Sequence, residues 1–139
     1  MTESKAVAEI EKVADRYIAV WNEPHAESRR YAVAGLWTEV GTYTDPLGTV
    51  EGRQAIERVI AGVRKQFPGH VFRRIGDADA HHNLVRFSWG LVPEGSDESV
   101  VESFDVASSP ALGEFVASMA FSRRFPRSDG PAERTMQCY

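Results

Sequence analysis

From Glu3 to Trp21 the apolar residues recur at three- and four-residue steps, and Ile10, Val13, Ala14, Tyr17, Ile18 and Trp21 fall on one side. That spacing predicts an amphipathic helix with a single buried stripe, stopped by Asn22-Glu23-Pro24. A second helix is expected over about Ala26–Trp37, with its apolar residues crowded toward the end. Val40–Asp45 alternates as a short strand and closes at Pro46-Leu47-Gly48. A third helix follows Gly52, with Ile56, Val59, Ile60, Val63 and Phe67 on one face, and ends at Pro68-Gly69. Beyond it the period changes from helical to two. Val71–Ile75, Leu84–Val92, Ser99–Ala107 and Glu114–Phe121 read as four strands separated by short polar turns. The order predicts an α+β fold, three helices packed on one face of a strongly curved, mostly antiparallel sheet.

The alternation also sorts side chains by face. Gly41, Tyr43 and Asp45 share one face of the first strand. Val85, Phe87, Trp89 and Leu91 form an apolar row. Val101, Ser103 and Asp105 point together, opposite Val100, Phe104 and Val106, and Phe115, Ala117, Met119 and Phe121 are expected in register on the last strand. The stripe carrying Tyr17 must cover one sheet face, which would bring Tyr17, Asp45 and Asp105 into a largely apolar interior. Each has a plainer reading. Tyr17 serves equally as a core tyrosine with its hydroxyl bonded to backbone, and Asp45 before Pro46 as a turn opener. Asp105 is harder to dismiss, because an aspartate between Phe104 and Val106 in mid-strand is unusual without a partner or a role.

These residues carry a resemblance. Tyr17 within Arg16-Tyr-Ile-Ala-Val-Trp-Asn22, Asp45 within Thr44-Asp-Pro-Leu-Gly48 and Asp105 within Val100-Val-Glu-Ser-Phe-Asp105 look like the ketosteroid isomerase pattern. More widely, the chain resembles the NTF2-like, SnoaL-like superfamily over roughly residues 3 to 121. The resemblance implies a cone-shaped α+β barrel with a pocket at its wide end, formed by residues 1–125, with 126–139 as a tail. It implies Asp45 as general base, with Tyr17 and Asp105 as donors to a developing enolate oxygen. Asp105 can donate only if burial keeps it protonated, an effect for which ketosteroid isomerase is itself the standard illustration. A pocket of this kind would be lined by Trp21, Tyr43, Val59, Val63 and Phe87. Trp89, Ser103, Met119 and Phe121 would complete it. The implied ligand is a small hydrophobic molecule, isomerised or cyclised at a ketone without a cofactor, and the implied assembly is a homodimer through the outer sheet face. The same superfamily includes non-catalytic binding and dimerisation modules, which these motifs do not separate from enzymes. Arg86 marks a further branch, since an arginine paired with an inward carboxylate would suit activation of water.

Composition narrows the partners. The 139 residues are 42% apolar, enough for one domain with a cavity. Sixteen basic against twenty acidic residues match nucleic acid poorly. Four arginines, at 123, 124, 127 and 134, give the last eighteen residues a net charge of +2, which reads as solvated surface. A single cysteine, Cys138, excludes a disulfide scaffold, and neither a membrane span nor a secretory leader is evident, so a cytoplasmic location is expected. His81-His82 lacks companion ligands and reads as a solvated hairpin, so no metal is expected.

Overall fold

The computed structural model describes the backbone of residues 2–108 and 115–124, and the side chains of 8–108 and 115–120. The expectations for the tail at 126–139, for Cys138, for the four arginines and for the Phe121 side chain lie outside the described residues. Within them the chain runs α1 (Thr2–Asn22), α2 (Ala26–Leu36), β1 (Trp37–Asp45), β2 (Gly48–Glu51), α3 (Arg53–Gln66), β3 (His70–His81), β4 (Leu84–Pro93), β5 (Val101–Ser108) and β6 (Phe115–Arg124). The strands form one sheet in the order β2-β1-β6-β5-β4-β3. Every neighbouring pair is antiparallel except β1 with β6, which run parallel.

The helical stripe packs as its spacing requires. Val13, Ala14, Tyr17, Ile18 and Trp21 of α1 are buried against Phe72, Phe87, Trp89 and Leu91 of the sheet in a single core. Asn22 does more than stop α1. Its side-chain amide donates to the Phe72 carbonyl and its oxygen accepts from the Phe72 N–H, both at 2.8 Å, so it stands in as a strand partner for β3. Gly69, at φ +75°, turns the chain from α3 into β3, a conformation that favours glycine.

Three expectations need correction. The segment Asp77–His81 is strand and not turn: β3 continues to His81 with a register shift after Ile75, and the Ala78 N–H is held by Glu11. β2 went unforeseen because four residues of Gly, Thr, Val and Glu carry too little alternation. On β6 the inward row is not Phe115, Ala117, Met119. The buried residues are Phe115, Ser118 and Ala120, because pairing with β1 jumps from Trp37↔Phe115 to Thr42↔Ala117. The slack sits in β1, where the Trp37 carbonyl accepts from Arg53 Nε at 2.9 Å and the Gly41 carbonyl from the Gly52 N–H at 2.8 Å. Glycine suits position 41: a Cβ would lie 3.1 Å from Trp37 Cδ1 and 3.2 Å from the Phe115 carbonyl oxygen, tighter than most side-chain contacts.

Candidate functional site

Asp105 is on the inward face of β5 and only 2% exposed. Its Oδ1 accepts from Trp89 Nε1 at 2.8 Å. Register explains the pair: Trp89 lies opposite Ser103, so Asp105 is its diagonal neighbour on the same face. Tyr17 of α1 stands close enough to the same carboxyl for the two groups to shift each other's titration. The Tyr17 hydroxyl is also 3.5 Å from Ser118 Oγ, which accepts from Trp37 Nε1 at 3.2 Å. A buried polar chain thus runs Trp89–Asp105–Tyr17–Ser118–Trp37 through apolar surroundings.

Electrostatics follow from that burial. Loss of water pushes the Asp105 carboxyl up from 3.8 to about 6. The bonds from Trp89 and Tyr17 pull it back, and the charge of Asp45 adds to the rise. Burial first, then the Asp105 charge, holds the Tyr17 phenol well above its ordinary value. No ion pair of Asp105 is seen among the described residues, so the carboxyl is held only by neutral donors.

A small cavity adjoins this chain, lined by Tyr17, Ile18 and Trp21 of α1, Tyr43, Val63, Phe67, Phe72, Trp89, Leu91 and Asp105. Its volume is about 20 Å³, room for about one water molecule. Aromatic rings take up the rest of the interior: Trp21 packs 5.4 Å from Tyr43 and 5.7 Å from Phe72, and Phe72 5.0 Å from Trp89. Across Tyr43, which borders both, is an outer cleft of about 340 Å³ between the β1–β2 hairpin and α3. Asp45, Leu47, Thr49, Arg58, Val59 and Gly62 are among its walls.

The structure therefore joins two of the three expected site residues. Tyr17 and Asp105 meet at the cavity. Asp45 instead lines the outer cleft, and its Oδ1 accepts from the Leu47 N–H at 2.9 Å, the turn-opening geometry. Of the expected wall, Trp21, Tyr43, Val63 and Trp89 line the inner cavity and Val59 the outer cleft. Phe87, Ser103 and Met119 line neither, Phe87 because its ring packs edge-on against Tyr17 at 5.0 Å. Arg86 is excluded from the site: it is exposed on the outer sheet face, its guanidinium 4.8 Å from the centre of the Phe104 ring, so it forms no pair with an inward aspartate.

One buried charge had not been foreseen. Arg29 is 7% exposed, donates to Glu57 Oε2 at 2.9 Å and to the Glu23 carbonyl at 2.8 Å, and so ties α2 to α3 and to the end of α1. Its spacing with the buried Val33 and Leu36 was the available signal, since all three fall on one helical face.

Among the described residues no helix is long and apolar enough to cross a membrane. No protein-family model and no curated protein matches the chain. Solved structures do. A "putative isomerase of the SnoaL-like family" from Agrobacterium tumefaciens str. C58 is 36% identical, with a TM-score of 0.78 over 84% of this chain and 98% of that one. A "putative SnoaL-like polyketide cyclase" from Jannaschia sp. CCS1 is 15% identical, with a TM-score of 0.65 over 83% and 85%. An NTF2-like protein of unknown function from Exiguobacterium sp. 255-15 is 14% identical, with a TM-score of 0.62 over 80% and 98%. The last two share the fold alone. The first shares more than a third of its residues across nearly its whole length, and with three helices on the same curved mixed sheet this chain belongs to the SnoaL-like family of the NTF2-like cone fold.

Proposed function

We propose that the protein moves a proton at a carbon beside a carbonyl group in a small apolar molecule, without a cofactor, and that Asp105 carries the proton. The observation behind this reading is the buried carboxyl itself, which faces an apolar cavity with no cation to neutralise it. A carboxylate is expensive to keep in such a place, and near pH 6 it both takes and returns a proton readily. Tyr17 gives the arrangement its second half. Its hydroxyl helps to hold the charge of the carboxylate at rest. Once Asp105 takes a proton, that demand on the phenol ends and it can turn to the substrate oxygen on which charge develops. The ligand body belongs in the outer cleft, since the inner cavity holds only the reacting group, and Tyr43 must give way between them.

Asp45, tied to its own turn, is no longer the preferred base. The proposal is tested with cyclohex-3-enone and a β,γ-unsaturated steroid ketone, following the absorbance of the conjugated product. Asp105→Asn should cut the rate at least about a hundredfold, and Asp45→Asn should change it by less than about threefold. Equal losses in both variants would return Asp45 to the mechanism. Ligand binding without turnover of either ketone would favour the non-catalytic binding module, a reading that the tight aromatic filling of the cone supports. The homodimer remains part of the proposal, with the outer sheet face around Phe104 and Val106 as its surface, and sedimentation equilibrium reads it directly.

A further inference from the structure

The protein contains three tryptophans. Two of their indole N–H groups are accounted for, Trp37 on Ser118 Oγ and Trp89 on Asp105 Oδ1. The third is not. Trp21 is 94% buried, borders the inner cavity, and its Nε1 has no hydrogen-bond acceptor among the described residues. It lies close enough to the Tyr17 oxygen to favour the ionised phenol, but forms no hydrogen bond with it. A buried donor without a partner destabilises the fold. A purely apolar side chain would avoid that cost, so hydrophobic packing alone does not account for an indole N–H here.

The ring cannot easily turn its N–H elsewhere. It is held by Tyr17 at 6.2 Å, Tyr43 at 5.4 Å and Phe72 at 5.7 Å. The donor therefore stays beside the Tyr17 hydroxyl, and both residues border the cavity. We propose that Trp21 reads the ligand: its indole N–H donates to an acceptor oxygen, of a carbonyl or a phenol, seated in the inner cavity next to the Tyr17 hydroxyl. The inference deepens the proton-transfer reading by naming the group that enters first. It also sets the chemistry of the ligand. The cavity walls offer donors and one carboxyl and no cation, so an uncharged oxygen acceptor fits and a carboxylate does not.

The test uses phenol, para-chlorophenol and para-cyanophenol as probes, with toluene as the shape control that lacks the oxygen. In wild-type protein labelled with ¹⁵N-tryptophan, the three indole resonances are followed during each titration. The Trp21 resonance should move downfield with the phenols, more for the stronger acceptors, while those of Trp37 and Trp89 move less. Toluene should leave the Trp21 resonance nearly in place. In Trp21→Phe, phenol affinity should fall about tenfold relative to toluene affinity, the worth of one good hydrogen bond. Equal loss for phenol and toluene would reduce Trp21 to packing, and no phenol binding to the wild type would overturn the site. The wild-type titration needs no variant, so a misfolded Trp21→Phe protein would leave the answer intact. Neither readout involves turnover. A shifted Trp21 resonance with inert ketones would retain the oxygen site and discard the proton transfer, and the reverse result would do the opposite.

Discussion

Asparagine at position 105 would keep the shape of the buried group and remove its charge, which isolates the electrostatic cost of the site. In the unfolded chain the aspartate titrates near 3.8 and in the fold near 6. Between those values the folded protein keeps a proton that the unfolded chain has released. The resulting stability is complete below about pH 4 and is lost as the pH rises through about 6. Two pH units at 1.36 kcal/mol each put the loss at about 3 kcal/mol. For a domain of this size that corresponds to about 10 °C in Tm. Urea unfolding of wild type and Asp105→Asn at about pH 4, 5, 6 and 7 measures it. The stability of wild type minus that of the variant should fall by about 3 kcal/mol across the range, whatever constant offset the new amide introduces against Trp89. A flat difference would refute the argument that burial dominates at Asp105, and a rising one would mean that the ion is the favoured form.

Two further changes probe the frame and the entrance. Arg29→Met strands Glu57 in a nearly buried position and should cost about 3–5 kcal/mol in chemical denaturation, much of it recovered by adding Glu57→Leu. Tyr43→Ala removes the side chain shared by the inner cavity and the outer cleft. It should lower stability by about 3 kcal/mol and raise kcat/KM for the steroid ketone relative to cyclohexenone, a ratio that stays constant if Tyr43 does not divide the two spaces.

Much of this architecture could be read from residue order, and the failures have local causes. The stripe from Val13 to Trp21 and the alternating rows of β4 and β5 persist over enough residues for their period to be unambiguous, and each is buried as expected. Asp105 was legible for the same reason, since its place in an alternating row fixes its face. The row on β6 was not. Its phase depends on an irregularity in a different strand, where carbonyls between Trp37 and Gly41 find partners in Arg53 and Gly52. Asp45 shows another limit. The residue before a proline at a strand end suits both a turn and a cavity rim, and only geometry shows its carboxylate on the Leu47 N–H. The unpartnered N–H of Trp21 could not be read at all, because a missing acceptor is a property of three-dimensional neighbours.

The parallel pairing of the first long strand with the last has a consequence for how the protein is made. Tyr17 and Ser118 are 101 residues apart, and Trp37 and Ser118 are 81. Contacts that distant close slowly, after the local hairpins. As the chain leaves the ribosome, α1 can pack on β3 and β4, but Tyr17 meets Ser118 and the Phe115 ring only once β6 has followed. The polar chain around Asp105 stays wet until then, so the carboxyl is an ordinary acid through most of synthesis and acquires its altered chemistry only when the final strand docks. A nascent chain that stalls before Ser118 would hold every residue that lines the cavity and none of its dryness.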